Sequence, residues 1–376
     1  MATFSSRGPT SDGRIKPDVV GPGTNVVSAA SDIRSGTRQC YDQTKTPINT
    51  PGFTPALEVE SGTSMATPTI AGAAALVRQY YREGWHVSGV RNVGNGIVSP
   101  KSALVKATLI ASTVPSQGNI RDLRLCNGSV CTDNLPATSE NKFKFVHGFG
   151  HVQLANALYF SGDPHMLYQD TNAVSSGTTR CYRVNTGSLT TRTTLKAVLV
   201  WTDPAASSSA SRLLVNNLNL RTYRVESGAV LLGNEAQTGS QCTDTINNVE
   251  VTSQELAENA EVVVVVEGTS INVNSQQSYS LVLVGPSTMT VTPLSSCSSE
   301  YGAYAEKDSC SSSSNNDDDD NDEDDQTTAI IVGVVVGVVA LIILIIVGGY
   351  WGWTKWAHAR AMGHQRQQDV EELVEL

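Results

Sequence analysis

The chain has 376 residues, enough for two domains and additional terminal segments. Its net charge is −10, and the acidic run DDDDNDEDD at residues 317–325 accounts for −8 of it, which leaves −2 for all other residues. A nucleic-acid partner would need a basic face, so this charge distribution argues against nucleic-acid binding.

Residues 1–160 alternate strand-like and helix-like segments, a pattern typical of a parallel α/β sheet. The run VVSAAS, which starts at Val26, is predicted to be a strand. Residues 34–57 and 116–142 are interpreted as loop insertions. The second insertion contains the sequon Asn127-Gly128-Ser129, which predicts glycosylation of Asn127 and an extracellular or lumenal loop.

A helix is predicted to begin at Ser64, because SMATPTIAGAAALVRQYYRE has no break except Pro68 and Gly84 follows as a stop. Gly62, which has no Cβ, permits a tight approach of the chain just before it. The positive end of the helix dipole and the free N–H groups at Ser64 would favour a developing oxyanion. The alternative is that Ser64 is an ordinary N-cap serine.

Four sequence blocks, in this order, resemble the subtilisin-like serine proteases (subtilases). They are FSSRGPTSDGRIKPDVVGPG at residues 4–23, GTSMATP at 62–68, PKSALVKATLIAST at 100–113 and GFGHVQLANAL at 148–158. GTSMATP matches the nucleophile motif of that family in full, and four blocks over about 155 residues are too many for chance.

This resemblance implies an acyl-enzyme mechanism of peptide-bond hydrolysis, with Ser64 as the nucleophile. The backbone N–H of Ser64 would be one oxyanion donor, and Thr63 would lie beside the oxyanion hole. Met65 would be the oxidisable neighbour of the serine. The resemblance implies a peptide or protein substrate and no cofactor for the chemistry.

The base that would activate Ser64 is not apparent in the sequence. In subtilases the Asp, the His and an oxyanion-hole asparagine all precede the serine, but the 63 residues before Ser64 contain no histidine. His147 and His151 follow it, in the segment that matches the last helix of the family, and are predicted to pack or to lie on the surface. We therefore expect this chain to be the C-terminal part of a larger protease.

Two carboxylates before Ser64 are predicted to be structural. Asp12 lies in SDGR, which is a turn signal, and Asp18 lies in KPDVVGPG, which matches a strand and turn of the family. No apolar run of a signal peptide follows Met1, which again favours a missing start.

Residues 165–292 contain β-branched apolar runs separated by Ser, Gly and Asn, which predicts an all-β sandwich. The blocks LVWTDP, LLVNNLNL, GN and NNVE, which begin at Leu199, Leu213, Gly233 and Asn247, resemble the jelly-roll domain that follows the protease domain in some subtilases.

A calcium ion is the only cofactor for which this second domain offers candidates. Asp203, Asp244 and Glu250 are weak candidate ligands, since the family often has aspartates where this chain has Asn217 and Asn219. The alternative is that these residues cap strands and turns.

Seven cysteines and no His/Cys metal spacing predict disulfides in an oxidising compartment rather than a zinc site. The alternative is reduced, buried thiols. The local spacing predicts three pairs and leaves Cys40 unpaired. These pairs are Cys126–Cys131, Cys181–Cys242 and Cys297–Cys310.

The end of the chain predicts a membrane anchor. Residues 293–327 are a polar, acidic stalk, and residues 328–350 are 23 residues without a charge, long enough to span a bilayer. Tryptophans and basic residues follow in 351–376, so this tail is predicted to be cytoplasmic and the remainder extracellular or lumenal. Gly333 and Gly337 form a GxxxG that is a weak signal for helix dimerisation.

Two functions are compatible with these observations. The first is a membrane-anchored subtilisin-like endopeptidase that acts through Ser64. The second is a non-catalytic surface protein that uses a degenerate protease fold for binding or adhesion. The intact GTSMATP favours the first function, and the absent Asp and His favour the second for this chain.

Overall fold

A computed structural model describes residues 1–29, 57–114, 125–127, 130–132, 145–188, 193–234 and 242–297 of the chain. All of these residues lie in one compact unit, Met1–Ser311.

Two helices form the centre of the N-terminal part. Helix α1 spans Thr63–Arg82 and helix α2 spans Ser102–Ala111. Helix α1 contains Pro68 in its second turn, and the chain leaves it through Gly84, whose φ of 74° favours glycine. The helix predicted from the uninterrupted apolar run is therefore confirmed, and it begins one residue before Ser64.

The strands of the N-terminal part are short and pair antiparallel. Strands β1 and β2 pair with each other, as do β3 and β6, and β4 and β5. Their bounds are β1 Val26–Ala29, β2 Leu57–Glu60, β3 Thr113–Val114, β4 Leu125–Asn127, β5 Val130–Thr132 and β6 His151–Val152.

Within the described part of residues 1–160, the expected parallel sheet is represented by a single parallel bridge between Val20 and His151. Each of the named strands in these residues pairs with a strand that runs in the opposite direction. The segment expected to be the last helix of the family forms β6 and a single 3₁₀ turn at Leu154–Asn156.

Residues 165–293 form two facing antiparallel sheets, as the β-branched runs predict. A four-stranded sheet has the order β12-β9-β14-β7, and a five-stranded sheet has the order β11-β10-β13-β8-β15. The strands are β7 His165–Val174, β8 Thr178–Asn185, β9 Thr193–Trp201, β10 Asn216–Arg224, β11 Ala229–Leu232, β12 Val249–Leu256, β13 Glu261–Ile271, β14 Gln277–Pro286 and β15 Thr290–Pro293.

The β-sandwich has its own core between the two sheets. Trp201 on β9 and Tyr182 on β8 are fully buried there, and the indole nitrogen of Trp201 donates a hydrogen bond to the Asn216 carbonyl at 2.9 Å. The hydroxyl of Tyr182 donates to Asp170 at 2.7 Å and meets that of Tyr279 at 2.7 Å, which ties strands of the two sheets together.

The outer face of the four-stranded sheet is also buried, because helix α2 packs across it. Val198 and Val200 of β9 and Val282 of β14 share one hydrophobic cluster with Leu104 and Ile110 of α2. The helices and the β-sandwich therefore share a hydrophobic core, and the sandwich supports the helical layer directly.

One disulfide joins Cys181 of β8 to Cys297, with 5.5 Å between their Cα atoms. The predicted pairs Cys181–Cys242 and Cys297–Cys310 are therefore wrong. β15 pairs with β8, and the Leu294 N–H bonds the Cys181 carbonyl at 2.9 Å, so sheet pairing brings together cysteines that are 116 residues apart.

The other cysteines are only partly described. Cys242 is disulfide-bonded as well, to a residue other than Cys181 or Cys297. Cys126 and Cys131 are opposite each other in the β4–β5 pair, and their predicted disulfide stays a prediction. Cys40 and Cys310 lie outside the described residues.

Among the residues with a described structure, no helix is long and apolar enough to cross a membrane. The predicted stalk beyond Cys297, the predicted span at 328–350 with Gly333 and Gly337, and the tail at 351–376 all lie outside the described residues.

We predict that replacing both Cys181 and Cys297 with serine lowers the free energy of unfolding by about 2–5 kcal/mol, because the bridge closes a long loop. Proteolysis of the unreduced protein followed by mass spectrometry should give a peptide pair that links Cys181 to Cys297. A peptide pair that links Cys181 to Cys242 would contradict the structure.

Candidate active site

Ser64 is the second residue of helix α1, and its side chain is exposed. The N-cap is Gly62, whose backbone is extended, and its carbonyl accepts hydrogen bonds from the N–H groups of Met65 at 3.1 Å and Ala66 at 3.4 Å. The alternative that Ser64 is the N-cap serine is therefore wrong, since its hydroxyl does not cap the helix.

The first turn of α1 presents backbone donors on the side of Ser64. Within the part of the chain that the structure describes, no acceptor is recorded for the N–H of Ser64. The first N–H groups of a helix carry its partial positive charge. An oxyanion that forms beside Ser64 would meet both the donor and the dipole.

A glycine-containing segment holds this turn in place. The Gly62 N–H donates to the Gly23 carbonyl at 2.8 Å. A Cβ at Gly23 would lie 2.8 Å from the Gly62 carbonyl oxygen and 3.1 Å from the Ala66 Cβ, and a Cβ at Gly21 would lie 2.7 Å from Ile70 Cδ1. Residues 21–23 therefore rest directly on the first two turns of α1. The sequence motif GPG was the signal for this contact, and sequence reasoning assigned it only to a turn.

The residues just before Gly62 are fixed as well. Asn25, with a φ of 53°, donates its backbone N–H to the Ser61 hydroxyl at 2.8 Å. This bond joins the residue after β2 to the residue before β1, next to the start of α1.

A cavity of about 920 Å³ lies beside this turn. The N-terminal segment, residues 17–24 and one face of α1 line it, with Thr63, Ala66 and Ile70 on the α1 side and His151 opposite. Large apolar side chains are exposed as well: Val59, on the strand β2 that precedes the turn, is 58% exposed, and Leu76, in the second half of α1, is 55% exposed. Ser64 does not line the cavity.

Three of the histidines that follow Ser64 occupy structural positions. His147 is 9% exposed, and burial lowers its pKa, while His151 pairs with Val114 in the β3–β6 pair. His86 stacks 5.3 Å from the ring of Tyr81 at the other end of α1, and burial lowers its pKa too. None of the recorded hydrogen bonds of the described residues joins a histidine to Ser64.

Two of the carboxylates before Ser64 are also engaged in structural contacts. Asp12 accepts from the Thr10 hydroxyl at 2.6 Å and forms an ion pair with Arg14 at 2.8 Å, and these contacts lower its pKa. Asp18 forms ion pairs with Lys16 and with Lys106 of α2. Burial acts to raise the pKa of Asp18, but the two lysines outweigh it and the pKa is lowered.

The calcium candidates accept hydrogen bonds from the protein. Asp203 accepts from the N–H groups of Val215 and Asn216 at 2.7 and 2.8 Å. Asp244 accepts from Asn234 and Asn247, and Glu250 accepts from the Leu220 N–H at 2.6 Å.

These three carboxylates do not converge on one point. No group of three acidic, histidine or cysteine side chains suited to a metal was found in the described ranges. Calcium binding stays a prediction, as does glycosylation of Asn127, whose side chain is not described.

Comparisons with known proteins cover the part of the chain that contains Ser64. Residues 1–150 match the model of the subtilase family. The first 150 residues belong to the subtilase family. The Subtilisin-like protease SBT5.4 of Arabidopsis thaliana is 36% identical over 94 residues, which cover 24% of this chain and 11% of that protein.

A longer match extends past this subtilase portion. The Serine protease/ABC transporter B family protein tagA of Dictyostelium discoideum is 34% identical over 308 residues, which cover 78% of this chain and 16% of tagA. The related protein tagD is 31% identical over 289 residues, with 66% of this chain and 15% of tagD covered.

A match of 308 residues is longer than the 150 of the family model, so the likeness to tagA continues into the β-sandwich. The chain spans about one sixth of the length of tagA.

We predict that Gly23→Ala displaces the first turn of α1 and lowers the free energy of unfolding by about 1–3 kcal/mol, because the methyl group meets the Gly62 carbonyl and Ala66. The matched control is Gly72→Ala on α1, where a Cβ would meet nothing within 4 Å. Alanine favours a helix by about 1 kcal/mol over glycine, so the control should be neutral or stabilising. Equal stabilities of the two variants in urea unfolding would contradict the contact.

Proposed function

We propose that this chain carries the nucleophile of a subtilisin-like serine endopeptidase, with Ser64 as the reacting residue. The observation that carries the proposal is the exposed Ser64 hydroxyl in the first turn of α1, within an intact GTSMATP sequence. The Ser64 N–H would donate to the oxyanion, with Thr63 beside it and Met65 packed behind.

In this reaction the Ser64 oxygen attacks the carbonyl carbon of the peptide bond, and a histidine takes the hydroxyl proton. The histidine then gives the proton to the leaving amine as the C–N bond breaks, which leaves an acyl-enzyme. Water, activated by the same histidine, hydrolyses the ester and regenerates the serine.

We propose that the histidine, its aspartate and an oxyanion-hole asparagine come from protein sequence that packs on the open side of α1. The cavity beside Thr63 and Ile70, and the exposed Val59 and Leu76, support this arrangement. Exposed apolar surface of this kind is typical of an interface, since water contact with it is unfavourable. The length of tagA relative to this chain is compatible with such additional sequence.

The β-sandwich would then be a support for the protease portion. Its strands alternate between the two sheets along most of the chain, from β7 to β10 and from β12 to β15, which supports its assignment as a jelly roll. The cluster that joins Val198 and Val282 to α2 supports a role in holding the catalytic helices.

We propose that the protein is anchored in a membrane by residues 328–350, with the protease portion and the sandwich on the extracellular or lumenal side. The apolar run in the sequence supports the anchor, and the Cys181–Cys297 disulfide supports an oxidising compartment. The name of tagA joins a protease to a transporter in one protein.

The second candidate function is a binding or adhesion protein without catalysis. The observation in its favour is that, among the described residues, no histidine or carboxylate forms a hydrogen bond with the Ser64 hydroxyl. The two candidates differ in whether Ser64 reacts in the full-length protein.

We predict that a fluorophosphonate probe labels Ser64 in the full-length protein but not in a chain of residues 1–376, because labelling needs a base-activated serine. In the full-length protein, Ser64→Ala should lower peptidase activity by about 10⁴-fold or more. The free energy of unfolding should change by less than about 0.5 kcal/mol, since the hydroxyl is exposed and does not cap the helix.

The matched control is Ser88→Ala, which removes an exposed hydroxyl just beyond the C-terminal end of α1, far from the first turn, and should keep the activity. Peptidase activity that survives Ser64→Ala would show that Ser64 is not the nucleophile. A full-length protein that neither hydrolyses peptides nor takes the probe would favour the binding function.

A further inference from the structure

A lysine lies in the apolar interface between the β-sandwich and helix α2. Lys196 is on β9, on the same face of the sheet as Val198 and Val200. Its Nζ donates to the carbonyl oxygens of Ile110 at 2.7 Å and Thr113 at 3.0 Å, and to the Thr113 hydroxyl at 2.8 Å. The amine thus bonds the groups at the C-terminal end of α2, where the helix dipole is negative.

All three partners of this amine act as acceptors. The Thr113 hydroxyl donates its own proton to the carbonyls of Ile110 at 2.8 Å and Phe149 at 2.6 Å, so it can only accept from Lys196. An ammonium carries three protons and satisfies all three acceptors, whereas a neutral amine carries two. Removal of the side chain would leave buried carbonyl groups without these donors.

Helix α2 is in turn bonded to α1. The Thr108 hydroxyl donates to the Leu104 carbonyl at 2.9 Å, so the Tyr81 hydroxyl, 2.8 Å away, is the donor to Thr108. Tyr81 and Thr108 are both fully buried. A chain of contacts therefore runs from Lys196 through α2 to α1, the helix that begins beside Ser64.

We propose that Lys196 is a positioning residue, which fastens the C-terminal end of α2 to the β-sandwich and so fixes the pair of helices that carries Ser64. The link to Ser64 rests on the proposed function, whereas the fastening itself does not.

The charge of Lys196 depends on pH near neutrality. The three acceptors favour the charged form, but the cost of removing the ammonium from water outweighs them, so burial lowers the pKa of Lys196 to about 7. Within the described ranges, no carboxylate contacts the amine, and no titratable group of the elements packed around it does. The titratable groups on the surrounding described elements, none of which contacts the amine, are Lys101 and Lys106 at α2, His151 on β6, Glu250 and Glu255 on β12, and Tyr279 on β14.

The sign of the pH effect follows from the difference between the folded and unfolded states. The folded pKa lies below the unfolded pKa of about 10.4 for lysine. Between these values the unfolded chain binds more protons, so stability rises with pH in this window. Below about pH 7 both states are protonated and Lys196 adds no further pH dependence.

The test compares the full chain with Lys196→Met and with the matched control Lys101→Met, an exposed lysine at the N-cap of the same helix. The unfolding equilibrium constant, measured in urea from pH 6 to 10, should fall by up to about tenfold per pH unit above pH 7 in the wild type and in Lys101→Met. Lys196→Met should lose this component and should show faster hydrogen exchange at the Ser112 N–H, which bonds Thr108 in the last turn of α2. The same pH dependence and the same exchange rates in all three proteins would overturn the proposal.

If Lys196→Met fails to fold, the proposal is tested with the wild-type protein alone. An NMR titration of the lysine Cε signals should place one lysine near pH 7, and exchange of the α2 amides should slow with that titration after correction for intrinsic rates. Exchange of the α2 amides that does not change through the titration of Lys196 would overturn the proposal. These measurements use no activity, so their failure is distinct from a failure of Ser64 to react.

Discussion

The packing of helix α2 on the valine face of the four-stranded sheet is the contact on which the other parts depend. One side of α2 packs against Val198, Val200 and Val282. Helix α1 lies against α2 as well, and the Tyr81 hydroxyl of α1 bonds the Thr108 hydroxyl of α2. The four-stranded sheet is therefore buried on both faces, against the five-stranded sheet and against the helices. Because burial of apolar area is the main favourable contribution to folding, the β-sandwich and the subtilase portion stabilise each other.

The start of α1 is held differently from its end. The buried residues of α1 all lie in its C-terminal half, and its N-terminal half is covered mainly by the Gly21–Gly23 segment. The first turn of α1 is therefore held by the Gly21–Gly23 segment, while the Ser64 side chain on it stays exposed. A nucleophile needs such an open side, since substrate and base must both approach the hydroxyl. The sandwich and α2 thus support the C-terminal half of α1, away from Ser64.

The sequence predicts those features that depend on local signals. The motif around Ser64, the helix that follows and the sheet-rich second half follow from residue pattern alone. The disulfide from Cys181 to Cys297 and the interface of Lys196 depend on which strands become neighbours, which local spacing does not determine. A signal for the interface was nevertheless present. The run LKAVLVW at residues 195–201 does not alternate polar and apolar residues, which is typical of a strand buried on both faces.

Native-state hydrogen exchange of the full chain at increasing urea concentration tests most directly whether the helices and the sandwich form one cooperative core. The account predicts that the slowest amides of α2 and those of β9 and β14 exchange with the same free energy and the same urea dependence, because one unfolding event exposes them all. Exchange of the α2 amides at a clearly lower free energy, while β9 and β14 stay protected, would contradict it.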